Sequence, residues 1–228
     1  MDFDELSTWN DEMVEKYHSE GTLFESANPF LRYVEKMRAK TIVKLANVSN
    51  HDSVIDVGCG EGYILSLLPK ANGIIGLDIS KVALNRAKKF LQNREDIELL
   101  LGDGRNTHFE DDSFDVVICS EMLEHIPNPH DAIKEMHRIL KPNGNLVVSI
   151  PDESRIKQIM RIIKFFKLHH FLHAARKQET YEWHLHEADM TFLTSISSKY
   201  FSIETIKRIP IFVGYRFVVK MQPKTNKR

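Results

Sequence analysis

The feature that most constrains the fold is a glycine-rich loop between two short apolar segments. The first segment, 53–57, contains Asp56, and glycine then occupies every second position from 58 to 62. The second segment, 74–77, ends in Asp78, twenty-two residues after Asp56. Glycine allows backbone to approach a ligand without a Cβ clash, and an acid ending the second strand can accept hydrogen bonds from a ribose. The pattern predicts one half of a nucleotide-binding α/β sheet.

The spacing of the glycines separates two kinds of nucleotide loop. A dinucleotide-binding loop would place its third glycine at position 63, where this chain has Tyr63. The loop here reads Asp56-x-Gly58-x-Gly60-x-Gly62. It resembles motif I of the S-adenosylmethionine (SAM)-dependent methyltransferases with a Rossmann-like fold. SAM has no pyrophosphate for a helix N-terminus to hold, whereas its ammonium and sulfonium groups suit an acid at the loop entrance.

Strand-like and helix-like segments alternate up to residue 150. The fourth and fifth strands are continuous apolar runs, as strands buried on both faces of a parallel sheet should be. The predicted helices are 30–45, 63–68, 81–93 and 129–140, and the predicted strands are 53–57, 74–78, 97–101, 114–119 and 145–150.

Polar side chains end four of these strands: Asp56, Asp78, Asp103 and the pair Ser120 and Glu121. Ligands of parallel α/β sheets bind outside the carboxyl ends of the strands. We therefore expect a site along this edge. A helix at 190–199 and strands at 201–208 and 212–221 follow. The resemblance implies a three-layer α/β fold whose mostly parallel seven-stranded sheet ends in an antiparallel hairpin.

Composition predicts one domain without a strong electrostatic bias. The 228 residues are 42% hydrophobic and 28% charged, with a net charge of −1, so nucleic acid is a disfavoured partner. Cys59 and Cys119 are expected to be buried and reduced. With no targeting or membrane-spanning pattern, we predict a cytoplasmic protein.

The predicted domain is 1–222, comprising a helical cap (1–50), a SAM-binding core (50–150), a helical insert or lid (151–189) and a terminal helix with a strand pair (190–222), before a disordered tail (223–228).

The resemblance also implies which residues bind SAM. The loop would hold the methionine part, Asp78 would bind the ribose hydroxyls, and Ile79 would pack on adenine. Asp103 would accept a hydrogen bond from the adenine amino group. Arg38 is interpreted as a solvated residue of the N-terminal helix rather than as a ligand of the SAM carboxylate. The complete predicted set is Asp56, Gly58, Cys59, Gly60, Gly62, Asp78, Ile79, Asp103, Gly104, Ser120 and Met122.

Within the family, the chain resembles the O-methyltransferases of ubiquinone biosynthesis. The shared features are Asn28-Pro-Phe-Leu-Arg-Tyr33 before the fold, Glu121-x-x-Glu124-His125 after the fourth strand, and a basic apolar insert after the fifth. This resemblance implies a small, apolar acceptor that carries a hydroxyl group.

An acidic and imidazole cluster allows two interpretations. Glu121, Glu124 and His125 share one helical face, and His186 lies downstream. These four could bind a divalent metal, as a similar set does in the terminal-ribose methyltransferases of small RNAs. The favoured interpretation is metal-free, with His125 or His186 as a general base. His184 is expected to be structural.

Residues 155–177 contain seven Lys or Arg and no acid, and form a predicted basic amphipathic helix. A lid over the substrate, or a helix packed on the domain, is the favoured interpretation. Peripheral membrane contact is the alternative, which would make the protein membrane-associated.

Overall fold

The computed structural model describes residues 1–17, 24, 28–165, 183–210 and 214–224, except for the side chains at 160 and 162–165. Helices and strands alternate through most of the chain. The helices are α1 (Phe3–Tyr17), α2 (Pro29–Ala46), α3 (Tyr63–Leu67), α4 (Lys81–Phe90), α5 (Pro129–Ile139), α6 (Glu153–Phe165) and α7 (Met190–Ser197). The strands are β1 (Ser53–Val57), β2 (Gly73–Asp78), β3 (Ile97–Leu101), β4 (Phe114–Ser120), β5 (Leu140–Pro151), β6 (Phe201–Ile209) and β7 (Arg216–Pro223).

The seven strands form one sheet in the order β3-β2-β1-β4-β5-β7-β6. The first five are parallel, and β7 runs antiparallel to both β5 and β6. Helices cover both faces. On β1, Ile55 belongs to a hydrophobic cluster with Ile133 of α5, whereas its neighbour Val54 belongs to a second cluster with Ile42 of α2. The predicted three-layer fold with its C-terminal antiparallel pair is confirmed.

Capping residues set the helix starts that the sequence indicated. The Asn28 side chain accepts hydrogen bonds from the amides of Phe30 and Leu31, and Pro29 occupies the first position of α2. The Ser80 hydroxyl accepts from the Ala83 amide at the start of α4. Both are N-caps that satisfy amides without a partner inside the helix.

Some boundaries differ from the predicted ones because strand pairing extends them. β5 begins at Leu140, which pairs with Phe114, although the sequence predicted a strand that starts at residue 145. β7 continues to Pro223, which pairs with Phe201. The Lys224 amide also donates to a carbonyl, that of Tyr200, so the two residues at the start of the predicted tail are held in place. The rest of that tail lies outside the described residues.

The predicted basic helix is described only in part. α6 ends at Phe165, and residues 166–182 lie outside the described part of the chain. None of the helices within the described residues is long and apolar enough to cross a membrane.

Candidate active site

The glycine loop follows β1 and is tied to β2. The amides of Gly58 and Cys59 both donate to the Leu77 carbonyl, at 2.8 and 3.1 Å. The Gly60 amide donates to Asp78 Oδ2 at 2.7 Å. Gly60 has φ +54° and nothing within 4 Å of the place where its Cβ would stand, so the loop presents open backbone at this edge of the sheet.

Asp78 is held in a fixed orientation at the end of β2. Its second oxygen, Oδ1, accepts from the Ser80 amide at 2.8 Å. Burial raises the pKa of Asp78, although the amides of Ser80 and Gly60 oppose that rise. Each carboxylate oxygen has a further lone pair, which is what binding a ribose diol requires.

Asp56 is a buried acid without a hydrogen-bond partner in the described part of the chain. It is 1% exposed, and neither carboxylate oxygen is hydrogen-bonded among the described residues. Burial, and to a smaller extent the negative charge of Asp78, raises the pKa of Asp56 to about 7. The positive charge of Arg38 opposes this rise. An orphaned buried carboxylate is costly unless a cation or donor reaches it, so this part of the site fits a cationic ligand group such as the ammonium of SAM.

Arg38 lies inside the site, and its interpretation as a solvated residue was wrong. Only 5% of it is exposed. Its Nε donates to Glu35 Oε2 at 3.0 Å, and its Nη1 donates to the hydroxyls of Ser120 and, at 3.1 Å, Ser149. Helix α2 thus delivers a guanidinium to the carboxyl ends of β4 and β5, where it could bind the carboxylate of SAM. A pattern of apolar positions could not reveal this, because the groups that compensate the charge come from other elements.

Glu121 takes part in a buried ion network. Its carboxylate accepts from the Ser149 hydroxyl at 2.9 Å and pairs with Arg216. Arg216 also pairs with Glu35 at 3.0 Å. Burial pushes the pKa of Glu35 up, but Arg216 and Arg38 outweigh burial and hold it below its ordinary value. Glu121 is therefore committed to Arg216, which corrects its predicted place among metal ligands.

The remaining predicted SAM residues also lie along this edge. Met122 packs against Gly58 and Gly104, since a Cβ on Gly58 would lie 2.8 Å from Met122 Sδ and one on Gly104 would lie 3.6 Å from it. The Asp103 carboxylate accepts from Arg105 Nη2 at 2.7 Å, so it already has a cationic partner. Its adenine-binding role stays a prediction. Cys59 and Cys119 are free, buried thiols, as expected.

Helix α1 contacts the same edge; the sequence predicted a helical cap at residues 1–50 but not the residues that it covers. The Ser7 hydroxyl donates to the Ile79 carbonyl at 2.8 Å. Asp11 Oδ1 accepts from the Ser80 hydroxyl at 2.6 Å and from the Val82 amide at 3.0 Å. The only signal in the sequence was the polar, helical character of the first fifty residues. The contacts place a helix across the predicted adenosine-binding residues.

Beyond the donor residues, the structure corrects the predicted acidic and imidazole set. Glu124, His125 and His184 each offer one atom, and these three atoms lie within 4.8 Å of one another. His186 does not join them, because its Nε2 contacts the Ile126 carbonyl at 2.9 Å. Burial raises the pKa of Glu124 to about 8. We call Glu124, His125 and His184 the histidine–glutamate cluster.

This geometry agrees with comparisons to known proteins. Residues 55–148 match the family of the methyltransferase domain. The chain is 35% identical over 156 residues to the demethylmenaquinone methyltransferase of Staphylococcus epidermidis, and 33% identical over 156 residues to that of Staphylococcus aureus. In both cases the alignment covers 65% of this chain and 65% of the relative's length.

Solved structures share the whole fold at low sequence identity. The N-methyltransferase NodS of Bradyrhizobium japonicum, in complex with S-adenosyl-L-homocysteine, has a TM-score of 0.69 at 16% identity, covering 95% of this chain and 98% of that one. The [4+2]-cyclase SpnF has a TM-score of 0.68 at 14% identity, with 97% of each chain covered. The fold is that of the Rossmann-like SAM-dependent methyltransferases. The match to the methyltransferase domain family is confined to residues 55–148, less than half of the chain.

Proposed function

We propose that the protein is a SAM-dependent methyltransferase acting on a small, apolar acceptor with a hydroxyl group. The observation that carries the proposal is the position of Asp78. Its oxygens accept from the Gly60 amide of the glycine loop and from the Ser80 amide, at the carboxyl end of β2. A second strand ending in an acid fixed to such a loop is the arrangement that binds the ribose of a nucleoside.

Each donor residue then has a distinct role. Bound SAM supplies an electrophilic methyl group. Asp78 binds the ribose hydroxyls, Asp56 attracts the ammonium group, and Arg38 holds the carboxylate. Catalysis rests mainly on keeping the acceptor in line with the methyl group. Helix α1, bonded to Ile79 by Ser7, limits access of water to the donor.

On the acceptor side, His125 is better placed than His186 to remove a hydroxyl proton. His125 Nδ1 lies 3.1 Å from the Trp183 carbonyl. Because a carbonyl can only accept, Nδ1 carries the hydrogen in the neutral ring and Nε2 keeps the lone pair. The predicted base His186 instead uses its Nε2 against the Ile126 carbonyl. O-methylation is the reaction for which such a base is needed.

A small apolar acceptor is supported by the relatives named demethylmenaquinone methyltransferase. A SAM-binding protein without methyl transfer is the second candidate, because the cyclase SpnF has the same fold. A metal-dependent RNA ribose methyltransferase is less well supported, since the net charge of −1 provides no broad attraction for nucleic acid.

Calorimetry with SAM tests the donor site. Asp78→Ala should lower affinity by about 100-fold or more, because it removes charge-assisted hydrogen bonds worth about 1.5–3 kcal/mol each. Glu98→Ala on the neighbouring strand β3 is the matched control, because Glu98 is exposed. Wild-type protein that binds neither SAM nor its demethylated product would refute the proposal.

A transfer assay with isotopically labelled SAM tests the reaction. Quinol-like phenols, short RNAs and lipid extracts are offered in parallel, and products are identified by mass. We expect label on the phenol hydroxyl. Label on RNA ribose would favour the third candidate, and SAM binding without label in any product would favour the second.

We propose that helix α6, the described start of the insert after β5, belongs to a lid over the acceptor rather than to a membrane anchor. In the described part, Lys157 pairs with Glu187 at 2.5 Å, which ties α6 to the segment before α7. Flotation with anionic vesicles tests the alternative. Binding that disappears when Lys157 and Arg161 are both replaced by Glu would support membrane contact instead.

A further inference from the structure

The histidine–glutamate cluster joins two segments that are far apart in sequence. Glu124 and His125 follow β4, whereas His184 precedes α7. The Leu185 amide donates to the Glu124 carbonyl at 2.8 Å, which fixes the second segment against the first. Glu124 Oε1 and His125 Nε2 are 4.0 Å apart, and the His125 and His184 rings are 4.8 Å apart between centroids.

The carboxyl group of this cluster lies in the interior without a hydrogen-bond partner among the described residues. Glu124 is 0% exposed, and neither of its oxygens has a hydrogen-bond partner among the described residues. Removing an ion from water costs several kcal/mol unless a counter-charge or donors replace the water. The backbone therefore holds an acceptor group at a position that a cation would stabilise.

Each of the two imidazoles has its Nδ1 beside a hydrogen-bond acceptor. His125 Nδ1 faces the Trp183 carbonyl, and His184 Nδ1 lies 2.7 Å from Glu153 Oε1. Both partners accept hydrogen bonds, so each Nδ1 carries the hydrogen in the neutral ring. Glu153 is itself buried, with 3% exposed. A carbonyl or carboxylate behind each ring is the outer arrangement that metal-binding histidines have.

We propose that Glu124, His125 and His184 bind one first-row divalent cation such as Mn²⁺, Fe²⁺ or Zn²⁺. Two imidazoles and one carboxylate suit these metals better than Mg²⁺ or Ca²⁺, which prefer oxygen ligands. Bond lengths of about 2.0–2.2 Å place ligand atoms about 3–4 Å apart, so a cation would draw the three groups slightly together. The set differs from the one predicted by sequence, which contained Glu121 and His186.

Three protein ligands leave coordination positions for water or substrate. If the proposed O-methylation is correct, the acceptor oxygen would take one of them, and the cation would promote loss of the hydroxyl proton by lowering its pKa, in place of His125, whose Nε2 would then be a ligand rather than a base. This role rests on the proposed function, but the binding of the cation does not.

Metal binding is measured directly, without an activity assay. Protein freed of metal with a chelator is dialysed against Mn²⁺ or Zn²⁺, and bound metal is quantified by mass spectrometry, with the Mn²⁺ electron paramagnetic resonance signal as a second readout. We expect one equivalent in wild-type protein. Glu124→Gln and His184→Gln should weaken binding by 100-fold or more, and Glu153→Gln should weaken it by about 10- to 100-fold through His184.

His186→Gln is the matched control, because His186 lies in the same segment and contacts the Ile126 carbonyl instead. Its metal affinity should equal that of wild type. Calorimetry with SAM verifies that each variant is folded and keeps its donor site, so failure of the metal site and failure of the proposed function are distinguishable. Wild-type protein without stoichiometric metal, or Glu124→Gln and His184→Gln variants that bind as tightly as wild type, would overturn the proposal.

Discussion

We call the carboxyl ends of β1 and β2, with Asp56, the glycine loop and Asp78, the donor edge. The donor edge and the histidine–glutamate cluster follow the adjacent strands β1 and β4 but are built differently. The donor edge takes its acids from one continuous motif, with Asp56 and Asp78 ending paired parallel strands. The cluster needs His184, sixty residues after Glu124, and a segment without regular secondary structure to position it. The comparison indicates that donor binding is encoded locally, whereas the acceptor side depends on how the insert folds back.

This difference explains which positions along this edge of the sheet could be predicted from the sequence. The register between β1 and β2 follows from two apolar runs and a glycine loop, so the positions of Asp56 and Asp78 could be predicted. Whether His184 or His186 meets Glu124 depends on the hydrogen bond from the Leu185 amide to the Glu124 carbonyl. Outside helices and strands, side-chain direction has no period that a sequence reveals.

The fold could be predicted for the same reason. The features that could not be predicted depend on contacts between residues far apart in the sequence. The alternation of segments predicted the first five strands, two further apolar segments predicted the last two, and their antiparallel pairing came from family resemblance. Neither approach revealed that Arg38 enters the interior, because its partner Ser149 is 111 residues away. Nor did they show that α1 crosses the donor edge, since that depends on the Ser7 and Asp11 contacts with the chain after β2.

The largest expected effect comes from breaking the connection between the two regions. Arg216 pairs with Glu35, which is the partner of Arg38, and with Glu121, which lies three residues before Glu124. Arg216→Met should lower the free energy of unfolding by about 3–5 kcal/mol, because it leaves buried carboxylates without their partner. Urea unfolding measures this, with exposed Lys207→Met on β6 as control. Equal stability of the two variants would mean that the network does not stabilise the fold.

A second prediction concerns the pH dependence of the donor edge. Burial raises the pKa of Asp56 from 3.8 to about 7. The folded state therefore binds a proton more tightly than the unfolded state, so this contribution is complete below pH 3.8 and is lost as pH rises through about 7. Asp56→Asn should remove this pH-dependent loss of stability. Above pH 7 the variant should therefore be more stable than wild type, by up to about 4 kcal/mol.

The measurement is the free energy of unfolding of wild type and Asp56→Asn between pH 5 and pH 8.5, without SAM. Asp78 has a raised pKa as well and remains in the variant, so only part of the pH slope should disappear. SAM binding should weaken in the same variant, because the negative charge opposite the ammonium group is gone. A variant that is less stable than wild type at pH 8 would contradict the buried, unpaired state of Asp56.

A smaller effect is expected within the glycine loop, where two positions can be compared. Gly58 and Gly60 both have positive φ, but a Cβ on Gly58 would stand 2.8 Å from Met122, whereas one on Gly60 meets nothing within 4 Å. Gly60→Ala should cost about 1–2 kcal/mol from backbone strain alone. Gly58→Ala should cost at least about 1 kcal/mol more from overpacking. Thermal unfolding with SAM titration should rank the two variants, and the opposite ranking would place Met122 elsewhere.

The smallest effect should come from the contact that joins the cover of the donor edge to the cluster. The Tyr17 ring, at the end of α1, stacks on Trp183 at 6.0 Å between centroids, and Trp183 stands 4.6 Å from His125. Aromatic pairs contribute about 0.5–1.5 kcal/mol beyond their buried area. Tyr17→Leu keeps most of the apolar volume and should therefore destabilise the protein by about 1 kcal/mol.

Because α1 crosses the donor residues and Trp183 orients His125, the same change should weaken the binding of SAM and the binding of the cation together, each by less than about tenfold. Phe3→Leu, at the exposed start of α1, is the control and should change neither affinity. If Tyr17→Leu alters SAM affinity and leaves cation affinity unchanged, the Tyr17–Trp183 contact does not couple the two regions.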